Sequence, residues 1–136
     1  MIVVEPKILL YSVFPAPFSE TVMKLHEIDP DWHVPLLWRS EFAHAVSKLM
    51  RMKVINEAEA AGAIGVAALF IGNREHLVSP YAVLPFVQNS KCSTYACEFI
   101  ALADKLKAHF VTYEQQIHEQ FPAIATTPED FISRHS

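Results

Sequence analysis

Glycine is scarce in this sequence, with three residues among 136. Loops that cradle nucleotide phosphates need glycine where the backbone approaches the ligand, and neither a G-x-G-x-x-G pattern nor a P-loop occurs. The G-x-S-x-G nucleophile elbow is also absent. The sequence therefore argues against a nucleotide cofactor and against a serine hydrolase of the α/β type.

Cysteine is equally rare. Cys92 and Cys97 are the two cysteines, and they do not form a C-x-x-C pair. A bridge between them would close only a small loop, so we interpret both as reduced packing residues of a cytosolic protein. A disulfide between them is the alternative.

Long hydrophobic runs and an excess of basic charge are missing as well. The longest apolar stretch, residues 60–72, is interrupted by glycines and is too short to span a bilayer. No basic region precedes the apolar stretch near the N-terminus, so a signal peptide is not expected. The net charge of −4 argues against binding of nucleic acid by bulk electrostatics, but a local metal site could still attract phosphate. We expect a cytoplasmic protein with no membrane association.

Short apolar strands alternate with amphipathic helices along the chain. The pattern predicts strands at residues 1–4, 33–34, 109–112 and 123–125. Helices are predicted between them, with capping signals at Asn56, Ser79, Ser93 or Thr94, and Thr127. Pro85 is expected to kink or shorten the helix that Ser79 begins. This order predicts an α/β fold, a three-layer α/β/α sandwich with a mostly parallel sheet, as a single domain over residues 1–136.

Acidic residues follow two of the predicted strands. Glu5 ends the first strand and Glu114 follows the strand near residue 110, while Glu41 lies near the start of a predicted helix. Ligands of open α/β sheets bind at the carboxyl ends of the strands, and hard divalent cations prefer several carboxylate oxygens. Glu5, Glu41 and Glu114 are therefore candidate metal ligands and catalytic residues, although each could instead be a solvated surface acid.

Histidines offer weaker alternatives. Glu41 and His44 form one Glu-x-x-His step, but a di-iron carboxylate site needs two such steps on different helices. Glu114 and His118 are spaced as an ordinary helical pair. Glu98 is interpreted as a first-turn charge that favours the dipole of its helix.

Four stretches of the chain resemble the PIN-domain family over nearly its whole length, and the last two are similar to the toxin-type branch of that family. They are MIVVEPKILL, LWRSEFAHAVSKLMR, CSTYACEFIALADKLKAHFVTYEQQI and FPAIATTPEDFI. The resemblance implies a parallel-sheet α/β/α fold, frequent dimerisation, and a Mg²⁺- or Mn²⁺-dependent ribonuclease in which metal-activated water attacks a phosphodiester. Many members of that family are toxins held in check by a small antitoxin protein, so the resemblance also implies such a partner.

The family's acidic cluster carries over only in part. Glu41 matches the helix acid, while Glu5 and Glu114 stand where the first and last aspartates are expected. Ala96 stands where an aspartate is usual, and Pro6 and Lys7 replace the Thr-Asn that commonly follows the first acid. Three acids would then hold the ion instead of four, and Lys7 could place a positive charge at the metal position or satisfy the acids without any metal.

Two functions follow from these departures. One is a ribonuclease with weakened activity, and the other is a catalytically inactive PIN-like domain that binds RNA or a protein partner. RNA, a small antitoxin and a second copy of the chain are the expected partners. Trp32, Trp38 and Tyr113 could stack on RNA bases, or the tryptophans could pack in the core or in a dimer interface.

Overall fold

A computed structural model describes all residues, 1–136, and contains eight helices and five strands. In chain order the elements are β1 (Ile2–Val4), α1 (Pro6–Val13), α2 (Ser19–Ile28), β2 (Trp32–Pro35), α3 (Trp38–Arg51), α4 (Glu57–Ile71), β3 (Glu75–His76), α5 (Pro80–Gln88), α6 (Thr94–Leu106), β4 (Phe110–Val111), α7 (Gln115–Gln120), β5 (Ala125–Thr126) and α8 (Pro128–His135).

The sheet is entirely parallel and has the strand order β3-β2-β1-β4-β5. β1 lies at the centre, because Val3 pairs with His33 on one side and with Phe110 on the other. Short strands with helical crossovers on both faces are the usual construction of a buried parallel sheet. The predicted α/β/α sandwich with a mostly parallel sheet is confirmed.

Two hydrophobic cores lie on opposite faces of the sheet. Ile2 and Val4 belong to the core formed with α1, α2, α3, α4 and α8, whereas Val3 between them belongs to the core formed with α5, α6 and α7. Successive side chains of a strand point to opposite faces, so this alternation is what a sheet covered on both sides requires. All three side chains are 1% exposed or less.

Helix starts follow the capping signals of the sequence. Asn56 and Glu59 form a reciprocal capping box at α4, with Asn56 Oδ1 accepting from the Glu59 amide at 2.8 Å. Ser93, rather than Thr94, caps α6, and Thr127 caps α8. α5 continues for three residues beyond Pro85, so this proline lies inside the helix instead of ending it.

Several predicted boundaries were wrong, and two elements were not predicted. β3 and α7 have too few residues to show a periodic pattern. The last strand lies at Ala125–Thr126 rather than at 123–125, because its register is set by pairing with β4. Cys92 and Cys97 are buried free thiols, which confirms that they pack rather than bridge. No helix combines the length and apolar composition needed to cross a membrane.

Candidate functional site

The three predicted acids line one cleft at the carboxyl ends of β1 and β4. The cleft has a volume of about 390 Å³, and Glu5, Glu41 and Glu114 all contribute to its wall. The parallel pairing of β1 with β4 brings the residues that follow both strands to the same edge of the sheet. The structure therefore brings the three predicted acids together in one cleft.

Glu5 is the most buried of these acids, with 5% of its surface exposed. Its carboxylate accepts hydrogen bonds from the Thr112 hydroxyl and, at 3.3 Å, from the Tyr113 amide. Burial raises the pKa of Glu5 above its usual value, and the nearby charge of Glu114 adds to that rise, while the two hydrogen bonds oppose it. Both carboxylate oxygens are thus already occupied by donors from the segment after β4.

Glu41 lies in the first turn of α3 and is the acid with unused capacity. Its Oε1 atom is buried and has no hydrogen-bond partner. Burial raises the pKa of Glu41, and the charges of Glu5 and Glu98 raise it further. A buried carboxylate oxygen without a donor costs free energy, so Glu41 is the acid of the cleft that the chain itself leaves unsatisfied.

Glu114 is held by a lysine of the same cleft. Lys7 Nζ donates to Glu114 Oε1 at 3.1 Å, and both side chains are about half exposed (57% and 50%). This hydrogen bond raises the pKa of Lys7 above its usual value, so the ammonium stays charged. The expectation that Lys7 could satisfy an acid of the cluster is therefore met at Glu114.

Glu114 and His118 lie one helical turn apart, as their spacing predicts, but their side chains turn to different partners. His118 Nε2 lies 2.6 Å from the carbonyl oxygen of Thr112, while the Glu114 side chain turns to Lys7. Glu114 is the residue immediately before α7, and its amide donates to Thr112 Oγ1 at 3.0 Å. The short helix thus begins at a position that directs the carboxylate into the cleft.

The interpretation of Glu98 was wrong. The first turn of α6 contains no acid, because Ser93 caps the helix and Glu98 follows in the second turn. Its charge instead raises the pKa of Glu41. Burial raises the pKa of Glu98 itself. Ala96, which lines the cleft, adds no oxygen to it.

A divalent cation does not fit these donors as they are arranged. No three histidine, cysteine, aspartate or glutamate side chains converge closely enough to hold one ion. Both oxygens of Glu5 accept from Thr112 and Tyr113, and Glu114 Oε1 accepts from Lys7. Mg²⁺ and Mn²⁺ require several oxygens at once, and two of the three acids are already engaged by donors of the chain.

The tryptophans pack in the core rather than line the cleft. Trp32 is fully buried and Trp38 is 3% exposed. Trp38 Nε1 donates to Glu75 at 2.7 Å, and Trp32 Nε1 donates to the Asp29 carbonyl at 2.6 Å. Tyr113 packs against Phe18 at a centroid distance of 4.7 Å, and its hydroxyl donates to Glu129. The two indoles are therefore not available to stack on bases.

An apolar groove between α1, α2 and α4 was missed by the sequence analysis. Its volume is about 300 Å³, and most of its lining is hydrophobic, including Leu9, Val22, Trp32, Val66 and Phe70. His26 and Glu27 add polar groups to the same lining. The signal was present in the sequence of α4, EAEAAGAIGVAALFI, which is apolar on every face and so exceeds what one core-facing stripe needs.

Beside the groove, α4 leaves large apolar side chains in solvent. Val66 is 55% exposed and Leu69 is 86% exposed. Contiguous apolar surface of this kind marks interaction sites in soluble domains. No protein-family model matches the sequence, and none of the curated proteins matches it.

Proposed function

We propose that this chain is a PIN-like domain of the toxin type that binds a protein partner and no longer hydrolyses RNA with a metal ion. The parallel sheet, and an acidic cleft at the carboxyl ends of β1 and β4, support the family resemblance. The main observation in favour of lost hydrolysis is the ion pair between Lys7 and Glu114 inside that cleft. Free, buried Cys92 and Cys97 support a cytoplasmic location.

Electrostatics supports the loss of metal. A lysine ammonium about 4 Å from a unit positive charge repels it by roughly 1–4 kcal/mol, and a divalent ion is repelled more strongly. Lys7 also engages one of the three carboxylates that the ion would need. Ala96 stands where the family has a fourth carboxylate, so that ligand is missing as well. The loss of even an outer-shell partner lowers metal affinity or activity by about 10- to 100-fold.

The apolar groove supports a protein partner over RNA. Without a cation, the carboxylates of the cleft repel phosphate, and the net charge of −4 does the same at longer range. An amphipathic helix can lay its apolar face into a groove lined by Leu9, Val22 and Phe70. A small antitoxin-type protein carrying such a helix is the partner that this surface fits.

A second copy of the chain is the other proposed partner. Leu77 is 81% exposed, Tyr81 is 83% exposed and Leu84 is 59% exposed, and they lie just before and within α5. This surface is separate from the groove, so a homodimer would leave the groove open to the antitoxin-type protein.

A weakened metal-dependent ribonuclease is the second candidate function. The observation in its favour is the orphaned Oε1 atom of Glu41, because a cation would satisfy it. The same cleft gathers Glu5 and Glu114 within reach of a small ligand.

Calorimetric titration with Mn²⁺ separates the two candidates. We expect no saturable binding by the natural protein and none by Glu41→Gln. Lys7→Asn removes the ammonium and should permit weak binding, while Lys48→Asn, which changes another cleft lysine, should not. Binding by the natural protein that Glu41→Gln abolishes, together with Mn²⁺-dependent cleavage of RNA, would establish the ribonuclease instead.

A display selection of helical peptides on the purified protein tests the partner surface. Selected peptides should lose at least tenfold in affinity for Val66→Glu and Leu69→Glu, because each places a charge beside the apolar groove. Leu77→Glu is the matched control, since Leu77 is equally exposed but lies away from α4. Peptides that bind all three variants equally well would contradict the assignment of the groove.

A further inference from the structure

Two histidines from neighbouring strands share a hydrogen bond at the edge of the sheet. His33 Nδ1 of β2 lies 2.8 Å from His76 Nε2 of β3. On its other side, His33 Nε2 lies 2.8 Å from Asp31 Oδ1. These residues line neither the acidic cleft nor the groove, so the proposed function does not use them.

The position of His33 follows from the register of the strands. His33 pairs with Val3, which faces the core formed with α5, α6 and α7. His33 therefore points to the same face, where its side chain is 14% exposed. β3 continues the sheet beside β2, and His76 pairs with Pro35.

The chemistry of the three groups determines how many protons the chain can hold. A carboxylate only accepts, so His33 Nε2 carries a proton that it donates to Asp31. His33 Nδ1 and His76 Nε2 can share one proton between them. A first additional proton makes one ring cationic and preserves both hydrogen bonds. A second would place two N–H groups face to face and two positive charges side by side, so the link between the strands would break.

Charges of both signs lie around the pair. Asp31 is hydrogen-bonded to His33 and also lies 4.0 Å from the N-terminal ammonium of Met1, which makes its closer contact with Asp29 at 2.7 Å. From α6, Lys105 adds positive charge near His76. The pair can therefore gain one proton beside Asp31 but resists two.

The neighbouring acid does not compensate for a second proton. Glu75 precedes His76 in β3, but its carboxylate is engaged by Trp38 Nε1 and by the guanidinium of Arg39. Asp31 is thus the only carboxylate bonded to the histidine pair.

β3 depends on few interactions. It is a two-residue edge strand paired on one side only, with the Leu36 amide donating to the His76 carbonyl at 2.9 Å. The Val34 amide donates to the Arg74 carbonyl at 3.1 Å. The side chains of Glu75 and His76 add contacts to Trp38, Arg39 and His33, while α5 begins at Pro80 and packs on α6. Because β3 is only two residues long and lies at the edge, loss of the histidine link should weaken its hold on β2.

We propose that the Asp31–His33–His76 chain is an acid-sensitive latch that holds β3 to the sheet, accepts one proton without opening, and releases this edge on the second. Opening the latch would change the surface around Leu77, which is exposed directly after β3.

The sign of the pH dependence follows from His76. Burial lowers its pKa below the usual value of 6.5, and the charges of His33 and Lys105 lower it further. His76 therefore has a lower pKa in the closed state than in the open state. Its neutral form stabilises the closed state when the pH is above about 6.5, and this stabilisation is lost as the pH falls below that value.

Hydrogen exchange of the full chain tests the latch. After correction for intrinsic rates, the opening constant of residues 75–79 should increase by up to about 30-fold between pH 7.5 and pH 5, while that of residues 57–71 in α4 changes far less. An equal increase in both segments, or none in residues 75–79, would overturn the proposal.

Two variants assign the effect to the histidine link. His76→Gln keeps a nitrogen donor toward His33 but cannot be protonated, so the acid response of residues 75–79 should fall to less than threefold. His44→Gln is the control, because His44 lies on α3 and has no histidine partner, and it should retain the full response. A full response in His76→Gln would contradict the latch.

Titration of the imidazole resonances by NMR needs no variant. The natural protein should show two coupled steps, with the second displaced to lower pH than an isolated histidine. Two independent, unshifted titrations of His33 and His76 would overturn the proposal even if His76→Gln did not fold.

Discussion

The acidic cleft and the apolar groove both include residues of α1, yet they leave different kinds of surface unsatisfied. In the cleft, most charges find partners within the chain, as Lys7 does with Glu114 and Glu5 with Thr112. In the groove, apolar side chains such as Val66 and neighbouring Leu69 stay in water. The difference teaches that a cluster of charged residues can be satisfied within the chain, whereas exposed apolar side chains cannot.

Burial accounts for this difference. A charge can be satisfied by a partner a few residues or one strand away, so an acidic site can neutralise itself within one chain. Apolar surface is removed from water only by covering it with more apolar surface. Covering the groove would therefore take apolar surface from outside the chain, whereas most charges of the cleft find partners within it.

The largest expected effect comes from the floor of the groove. Trp32→Ala should lower the free energy of unfolding by about 3–5 kcal/mol, because a fully buried indole that packs against Phe70 is lost. Tyr95→Ala, in the wall of the cleft and 63% exposed, should change it by less than about 0.5 kcal/mol. Chemical denaturation measures both. Similar losses in the two variants would remove the distinction between a groove built on the core and a cleft built on surface groups.

A smaller effect of opposite sign is expected in the cleft. Glu41→Gln should raise the free energy of unfolding at pH 7 by about 1 kcal/mol, because it removes a charge from a buried oxygen that has no donor. The exposed Glu119→Gln is the control and should change little.

The pH dependence of this effect has a definite sign. Burial raises the pKa of Glu41 in the folded protein above its value in the unfolded chain, so protonation of Glu41 favours the folded state. The stability that protonation contributes is present below the usual value of 4.5 and is lost as the pH rises through the raised pKa. The advantage of Glu41→Gln over the natural protein should therefore shrink at pH 4. An advantage that stayed constant with pH would show that the carboxylate is not strained by its burial.

The smallest effect is expected from the ion pair. A double-mutant cycle with Lys7→Met and Glu114→Gln should give a coupling free energy of about 0.2–1 kcal/mol, because both side chains are half exposed. The coupling should weaken in 1 M NaCl, where exposed charges are screened. A coupling several times larger, insensitive to salt, would mean that the pair is structural rather than a counter-ion of the cleft.

Local patterns were sufficient for most helices and for the central strands. The capping box of Asn56 and Glu59 and the cap at Thr127 form as predicted, because these contacts span only three residues. β3 could not be predicted, since two residues show no periodicity and their conformation comes from pairing with β2. The helix through Pro85 and the register of β5 were also set by contacts distant in sequence.

The candidate site divides in the same way. Placing Glu5 and Glu114 after strands was enough to predict that they meet, because parallel strands end at one edge of the sheet. Their hydrogen bonds were not predictable, since Glu5 finds Thr112 more than one hundred residues away in the chain. Glu98 was misassigned because it lies in the second turn of α6, where the fold places its charge near Glu41. The contact of the His118 ring with the Thr112 carbonyl was not predictable from helical spacing.

The amino-acid sequence by itself determined the alternation of strands and helices, hence the layered fold, and which acids share an edge of the sheet. Those properties depend on hydrophobic periodicity and local capping, which act over a few residues. Only the tertiary structure decided that Lys7 engages Glu114, that the surface of α4 forms a groove, and that His33 meets His76. These contacts depend on strand register and on how helices pack, and both are settled by the whole core at once.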